Sequence, residues 1–149
     1  MLLTCRQLLE GNRRALESEP RGSLKVFGLK VGKVSPKEFA PRVLDLIAGQ
    51  PALCAIVEPL VRLCEDVIKQ LDVLHRMVLK MVKECELCRR WMAISGVAPV
   101  VALTFRSTID VPERCVRSRS VGPLLGLVPR KHQSGEVNRH GRIPNAAMR

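Results

Sequence analysis

Apolar residues recur along this chain mainly at spacings of three and four, the rhythm of amphipathic helices. Leu2, Leu3, Leu8, Leu9 and Leu16 stand among arginines in such a pattern, which Glu19–Pro20 and Arg21–Gly22 are expected to end. Gly28 and Gly32 then mark a turn-rich connector. Ser35–Pro36 reads as a helix start, with serine as N-cap, proline in the first turn and Glu38 placed to complete a capping box. Phe39, Val43, Leu46 and Ile47 make the apolar stripe of that helix; Gly49 should close it and Pro41 should kink it. The most regular stretch comes next. Leu60, Cys64, Val67, Leu71, Leu74, Val78, Met81, Cys85 and Cys88 alternate at spacings of four and three, a heptad seam on a helix on the order of 40 Å long, with Pro59 at its start. Glu65, Asp66, Lys69, Asp72, Arg76, Lys80, Lys83 and Glu84 cover the rest of the helix as a mixed-charge surface. The seam fits either a dimerising coiled coil or a long helix packed on the N-terminal helices of the same chain.

Beyond Trp91 the elements shorten. Ile94 to Ala102 resembles a helix-hairpin-helix turn, and Asp110 to Arg114 is a polar break in which Pro112 suits a short helix start. Ser118 can cap a further helix, although Pro123 stands inside it. Gly126 and Pro129 end that helix and lead into a turn and loop. The fold class is therefore mostly α: a long coiled-coil-type helix followed by a small helical domain with a helix-hairpin-helix-like turn. The expected divisions are an N-terminal helix and connector over residues 1–34, a helical region over 35–90, and the C-terminal domain over 91–149.

Charge narrows the class of partner. The net charge is +11 over 149 residues, which points to a polyanion. Residues 91–149 hold nine Lys/Arg against three acids. Aromatics are only 3%, too few for a base-stacking platform on single strands. The longest apolar run, Val97 to Leu103, is far too short to span a membrane, and the first residues lack the pattern of a secretion signal. The six cysteines are then expected as reduced thiols. Cys85-x-x-Cys88 lacks a second ligand pair, and His132 and His140 are too far apart for a zinc finger, so both thiols read as small buried residues of the seam.

Two places could carry chemistry. At the Gly96–Val97–Ala98 turn, backbone N–H groups and the next helix N-terminus could meet a phosphate, although Ala98 where the motif has glycine narrows the backbone's freedom. Further on, Arg130, Lys131 and His132 precede Ser134–Gly135. A serine held beside phosphate-binding cations could attack a phosphodiester, because the cations offset charge developing at phosphorus. The same residues also suit an ordinary solvated loop.

WMAISGVAPVVALTFRSTIDVPERCVRSRSVGPLLGLVPRKHQSGE, from Trp91 to Glu136, resembles the C-terminal domain of insertion-sequence transposases. The family, numbered one hundred and ten, pairs a RuvC-like DEDD nuclease domain with a serine-bearing C-terminal domain. FGLKVGKVS, Phe27 to Ser35, is similar to the family's middle region. The chain departs from the family at Ala98, at Cys115 in place of phenylalanine, at Pro123, and after Gly141-Arg142-Ile143, where Pro144-Asn145 stands instead of a serine–lysine run.

The resemblance implies DNA transposition, with Ser134 as the catalytic nucleophile and Gly96, Val97, Ala98, Arg130, Lys131, His132 and Arg142 as DNA-binding residues. It implies a magnesium-binding acidic domain ahead of Met1, hence no cofactor in this chain, which would be a truncated transposase inactive alone. DNA is the expected partner, with a guide RNA left open, a homo-oligomer through the 60–88 helix, no membrane, and a cytoplasmic, nucleoid-associated location. The alternatives are a non-enzymatic nucleic-acid-binding or coiled-coil scaffolding protein, and a decayed reading frame.

Overall fold

A computed structural model describes residues 1–110, 117–129 and 131–142. Its elements are α1 (Leu2–Val26), α2 (Pro36–Ile47), α3 (Pro51–Glu84), α4 (Glu86–Met92), α5 (Pro99–Ile109), a single 3-10 turn (Ser118–Ser120), α6 (Val121–Leu124), β1 (Lys131–Ser134) and β2 (Val137–His140). The fold is mostly α. The chain divides into two compact units, Met1–Leu103 and Thr104–Arg149. The expected short helix at Pro112 and the departures at Cys115 and Pro144 lie outside the described residues.

In the first unit α1 runs through the expected stop at Pro20. The proline forfeits one helical hydrogen bond, but Pro20 and Leu24 are both buried, and that burial opposes the loss. The helix ends several residues later than expected, in a Schellman arrangement. Gly28 adopts φ 75°, its N–H donates to the Lys25 carbonyl at 3.0 Å, and the Leu29 N–H donates to the Leu24 carbonyl at 3.0 Å. Arg21 ties this end to the connector and to α2: its guanidinium donates to the Gly32 carbonyl and lies 5.0 Å from the centre of the Phe39 ring.

The capping box at the start of α2 is present. The backbone N–H and hydroxyl of Ser35 both donate to Glu38 Oε2, at 3.2 and 2.8 Å, and these bonds hold the Glu38 carboxyl below its usual range. The helix continues through Pro41, which faces solvent, and buries Phe39, Ala40, Val43 and Ile47. Gly49 (φ 89°) turns the chain into α3, whose Cys54 Sγ–H donates to the Ile47 carbonyl at 3.3 Å.

The long helix starts at Pro51 rather than Pro59 and ends at Glu84, roughly 50 Å of helix. Its buried stripe is Val57, Val61, Cys64, Leu71, Val78 and Val82, with Ile68 and His75 half-buried between them. The predicted seam shares Cys64, Leu71 and Val78 with this stripe. Leu60, Val67, Leu74 and Met81 instead lie one residue around the helix, half-buried or exposed. The reason is α1 and α2, which pack along α3. One core gathers Leu24, Val31, Phe39, Val43, Ile47, Val57, Val61 and Cys64. A second joins Val78, Val82, Cys85 and Cys88 to Ala102 and Leu103, with Leu2, Leu3, Trp91 and Val97 packed against it. Cys85 and Cys88 are buried as expected of seam thiols, and Cys85 Sγ also caps α4 by accepting from the Cys88 N–H at 3.4 Å.

In the second unit α6 also closes in a Schellman arrangement. Gly126 takes φ 70°, and the Leu127 N–H donates to the Gly122 carbonyl at 2.8 Å. The segment expected to be a serine-bearing loop is an antiparallel hairpin, with Ser134 paired to Val137 across a two-residue turn. Gly135 at φ 56° and Glu136 at negative φ match the type II′ turn, which requires glycine first and whose twist suits a hairpin.

Candidate functional site

The Gly96 turn is built by the end of α4 and the start of α5. The Val97 N–H donates to the Ile94 carbonyl at 3.1 Å, and Gly96 at φ 87° occupies the third position, a type II turn that needs a positive φ there. A side chain at Gly96 would meet open space, so the glycine serves the backbone conformation and not a close packing contact. Ala98 is the N-cap of α5: its carbonyl accepts from the Ala102 N–H at 3.0 Å, and Pro99 follows at the first helical position. Of the three residues expected to meet a phosphate, Val97 spends its N–H inside the turn and packs its side chain on the second core. Gly96 and Ala98 are exposed and carry the N–H groups left to face a ligand.

The hairpin sorts the residues around Ser134 by register. Lys131 pairs with His140, His132 with Arg139, Gln133 with Asn138 and Ser134 with Val137. Side chains alternate along a strand and cross-strand partners share a face. Val137 and Arg139 are therefore on the serine's face, with Arg139 a diagonal neighbour about 7–8 Å away at the backbone. Lys131, three residues before Ser134, falls on the opposite face. Ser134, Lys131 and Arg139 are all exposed. Arg142 is exposed two residues beyond β2, while Arg130 lies outside the described residues. Lys131 is thus on the face away from the serine, and Arg139 joins the serine's face. The sequence signal for it was Ser134-Gly135-Glu136-Val137, a Gly-x pair suited to a two-residue hairpin, which fixes the register and hence the face.

Among the described residues no group of three or more His, Cys, Asp or Glu side chains is placed to hold a metal ion. The magnesium implied by the resemblance has no such donor set among these residues. No described helix is long and apolar enough to cross a membrane.

The architecture is a helical scaffold bearing a glycine turn, with a serine-bearing hairpin later in the chain. Residues 88–149 match the family described as Transposase IS116/IS110/IS902 family, and this segment holds both the turn and the hairpin. The chain is 29% identical over 138 residues to the "Transposase for insertion sequence element IS1111A" of Coxiella burnetii, covering 90% of this chain and 38% of that protein. It is likewise 29% identical over 136 residues to the "Probable family 20 transposase" of Pseudomonas aeruginosa, covering 88% of this chain and 40% of that one. The chain therefore spans about two fifths of the length of these relatives. No solved structure matches it.

Proposed function

We infer that this chain serves DNA transposition, binding duplex DNA through the Gly96 turn and the basic hairpin and supplying Ser134 as the nucleophile of strand transfer. The observation that carries this is the hairpin itself. It lies within the family-matching segment and presents a serine next to its tip, with Arg139 on the same face. In the reaction Ser134 Oγ bonds to phosphorus, the bond from phosphorus to one deoxyribose oxygen breaks, and that oxygen leaves with a proton. The serine's own proton passes to a base. Arg139 is placed to offset charge on the phosphoryl oxygens. A serine hydroxyl is a weak nucleophile unaided, so on this reading the activating groups come from acidic metal-binding residues supplied with the chain.

Two readouts test this. Titration of labelled duplex with the chain should give log K against log salt a slope of about −3 to −5, and Arg139→Ala or Lys131→Ala should each flatten it by about one. A slope near zero defeats the DNA reading. When the acidic domain of a related transposase is added, a covalent protein–DNA adduct should form and vanish in Ser134→Ala; an adduct that persists there defeats the serine assignment. A guide RNA would engage the same cations, so unlabelled RNA should displace labelled duplex.

The homo-oligomer also belongs to this reading, through a stripe that keeps Leu60, Val67, Leu74 and Met81 of the predicted seam and leaves out its buried members. Ile56, Leu60, Leu63, Val67, Leu74, Met77 and Met81 follow one another at heptad spacing, interrupted by Gln70. Ile56, Leu63, Met77 and Met81 are 67, 51, 51 and 46% exposed. A heptad run with four exposed members matches a second helix of the same kind, and a second copy of α3 is the occupant proposed.

A further inference from the structure

One cleft of the helical unit lies apart from the turn and the hairpin. It opens between α1, the start of α2 and the middle of α3, with a volume of about 470 Å³, large enough for a nucleotide-sized group. Its floor is apolar, from Pro36, Ile68 and Leu71, and its walls carry Arg6, Lys37 and His75. Two buried polar atoms there have no hydrogen-bond partner, Arg6 Nε and His75 Nδ1. Buried polar atoms are nearly always paired, and here both orphans belong to residues that line this cleft, one on α1 and one on α3.

The charge balance favours an anion. Arg13 and Glu10 also line the cleft, but they are spent on each other: Arg13 Nη2 meets Glu10 Oε1 at 2.7 Å and Nη1 meets Glu17, and Arg14 Nε reaches Glu10 at 3.3 Å. Arg6 and Lys37 take part in no ion pair among the described residues. Asp72 is the one carboxylate of the lining outside that network. The N-terminus of α2 is already occupied by the Glu38 carboxylate, so side chains carry the argument.

We propose that this cleft is a phosphate-binding site, in which Arg6, Lys37 and His75 hold a phosphate group and the apolar floor of Pro36, Ile68 and Leu71 lies under whatever the phosphate is attached to. Arg6 Nε and His75 Nδ1 are closed to solvent in this structure, so the two side chains turn toward the cleft to meet a phosphate oxygen, which then satisfies both with charge-assisted hydrogen bonds. Lys37, exposed on the first turn of α2, adds a second full charge without burial. The source of the phosphate is either a free anion or a nucleic-acid strand.

The test uses the full chain labelled with ¹⁵N and follows the Arg6 Nε–H and His75 ring resonances. Inorganic phosphate, added at ionic strength held constant with chloride, should shift both saturably. Arg6→Gln should weaken binding about tenfold, the usual loss for a charge-assisted bond. Lys37→Gln, on the surface and harmless to folding, should weaken it about threefold, as for an exposed pair. Asp72→Asn should tighten it. A 5′-phosphorylated oligonucleotide compared with its dephosphorylated twin separates the sources. A shift by the first alone assigns a strand end, by both an internal phosphodiester, and by inorganic phosphate alone a free anion. Arg139→Ala should change none of this, which keeps the result separate from that of the hairpin. Shifts that do not saturate, or that are unaltered in folded Lys37→Gln and Asp72→Asn, overturn the proposal.

Discussion

The helical unit and the serine hairpin are built by opposite rules. Every buried residue among those described lies within the first 103, most of them in two cores strung along α3. From Thr104 onward no described residue is buried, and the hairpin exposes every side chain whose exposure is described. A two-stranded hairpin is marginal alone in water. Stability therefore resides in the helices, and the proposed chemistry in a segment whose backbone is fixed by a turn and a register. No packed core constrains the side chains of this segment, which on the proposed reading leaves them free to fit a charged partner.

This division can be broken most sharply by truncating a core side chain. Phe39 is 1% exposed and carries the Arg21 guanidinium on its ring. Phe39→Ala should cost about 3–5 kcal/mol, seen as a lower urea midpoint by circular dichroism at 222 nm. Ser134→Ala should move that midpoint by no more than about 0.5 kcal/mol, as surface changes do. Comparable losses in the two variants would show that the hairpin is part of the folding unit.

The next largest effect concerns the outer stripe of α3. Leu63→Glu with Met77→Glu places charges on exposed positions of that stripe and touches no core. Sedimentation equilibrium should find the wild type dimeric and the double variant monomeric, with unchanged helicity. About 2–3 kcal/mol of association, or roughly 30- to 150-fold in Kd, is the expected loss for burying such charges in an apolar interface. A folded, monomeric wild type would show that the helix serves only its own chain.

That stripe also shows what could be read in advance. A helix over α3 was legible because apolar spacing of three and four leaves few alternatives. Which side of the helix meets α1 was not. Two stripes lie one residue apart, 60-67-74-81 beside 61-68-75-82, the second apolar except for His75, and both are consistent with the same heptad through Cys64, Leu71 and Val78. Only the partner helix decides between them. The Ser35–Glu38 box was legible because capping is local. Pro20 misled because its burial is tertiary. Ser134 and its glycine were visible, but Arg139 enters the site only through strand pairing, which a loop reading misses.

A smaller effect tests whether the Gly96 turn is set by backbone conformation. No neighbour would meet a side chain at this position, yet φ is 87°. Gly96→Ala should cost about 1–2 kcal/mol from the left-handed conformation alone, read from urea midpoints. Gly11→Ala, within α1 and equally open in space, should instead gain up to about 1 kcal/mol from helix propensity. Equal effects from the two alanines would mean that the turn conformation does not matter.

The smallest effect is the acid sensitivity of the helical unit. Hydrogen bonds from Arg13, then the charges of Arg13 and Arg14, hold the Glu10 carboxyl below the usual 4.5, outweighing the opposing effect of burial. Ser35 does the same for Glu38. A carboxyl depressed in the folded state binds protons less readily there than in the unfolded chain. Its contribution is therefore complete above pH 4.5 and is lost as pH falls through the lower folded value. For Glu10, solvent screening limits this to about 0.3–1 kcal/mol. Between pH 7 and pH 3 the urea midpoint of the wild type should thus fall further than that of Glu10→Gln, since the glutamine has no charge to lose. Glu38→Gln keeps an acceptor for Ser35 and should blunt the fall in the same way. If the wild type and both glutamine variants lose stability in parallel, the acid response originates in other carboxylates, and neither the Glu10 cluster nor the capping box strengthens the helical unit through charge.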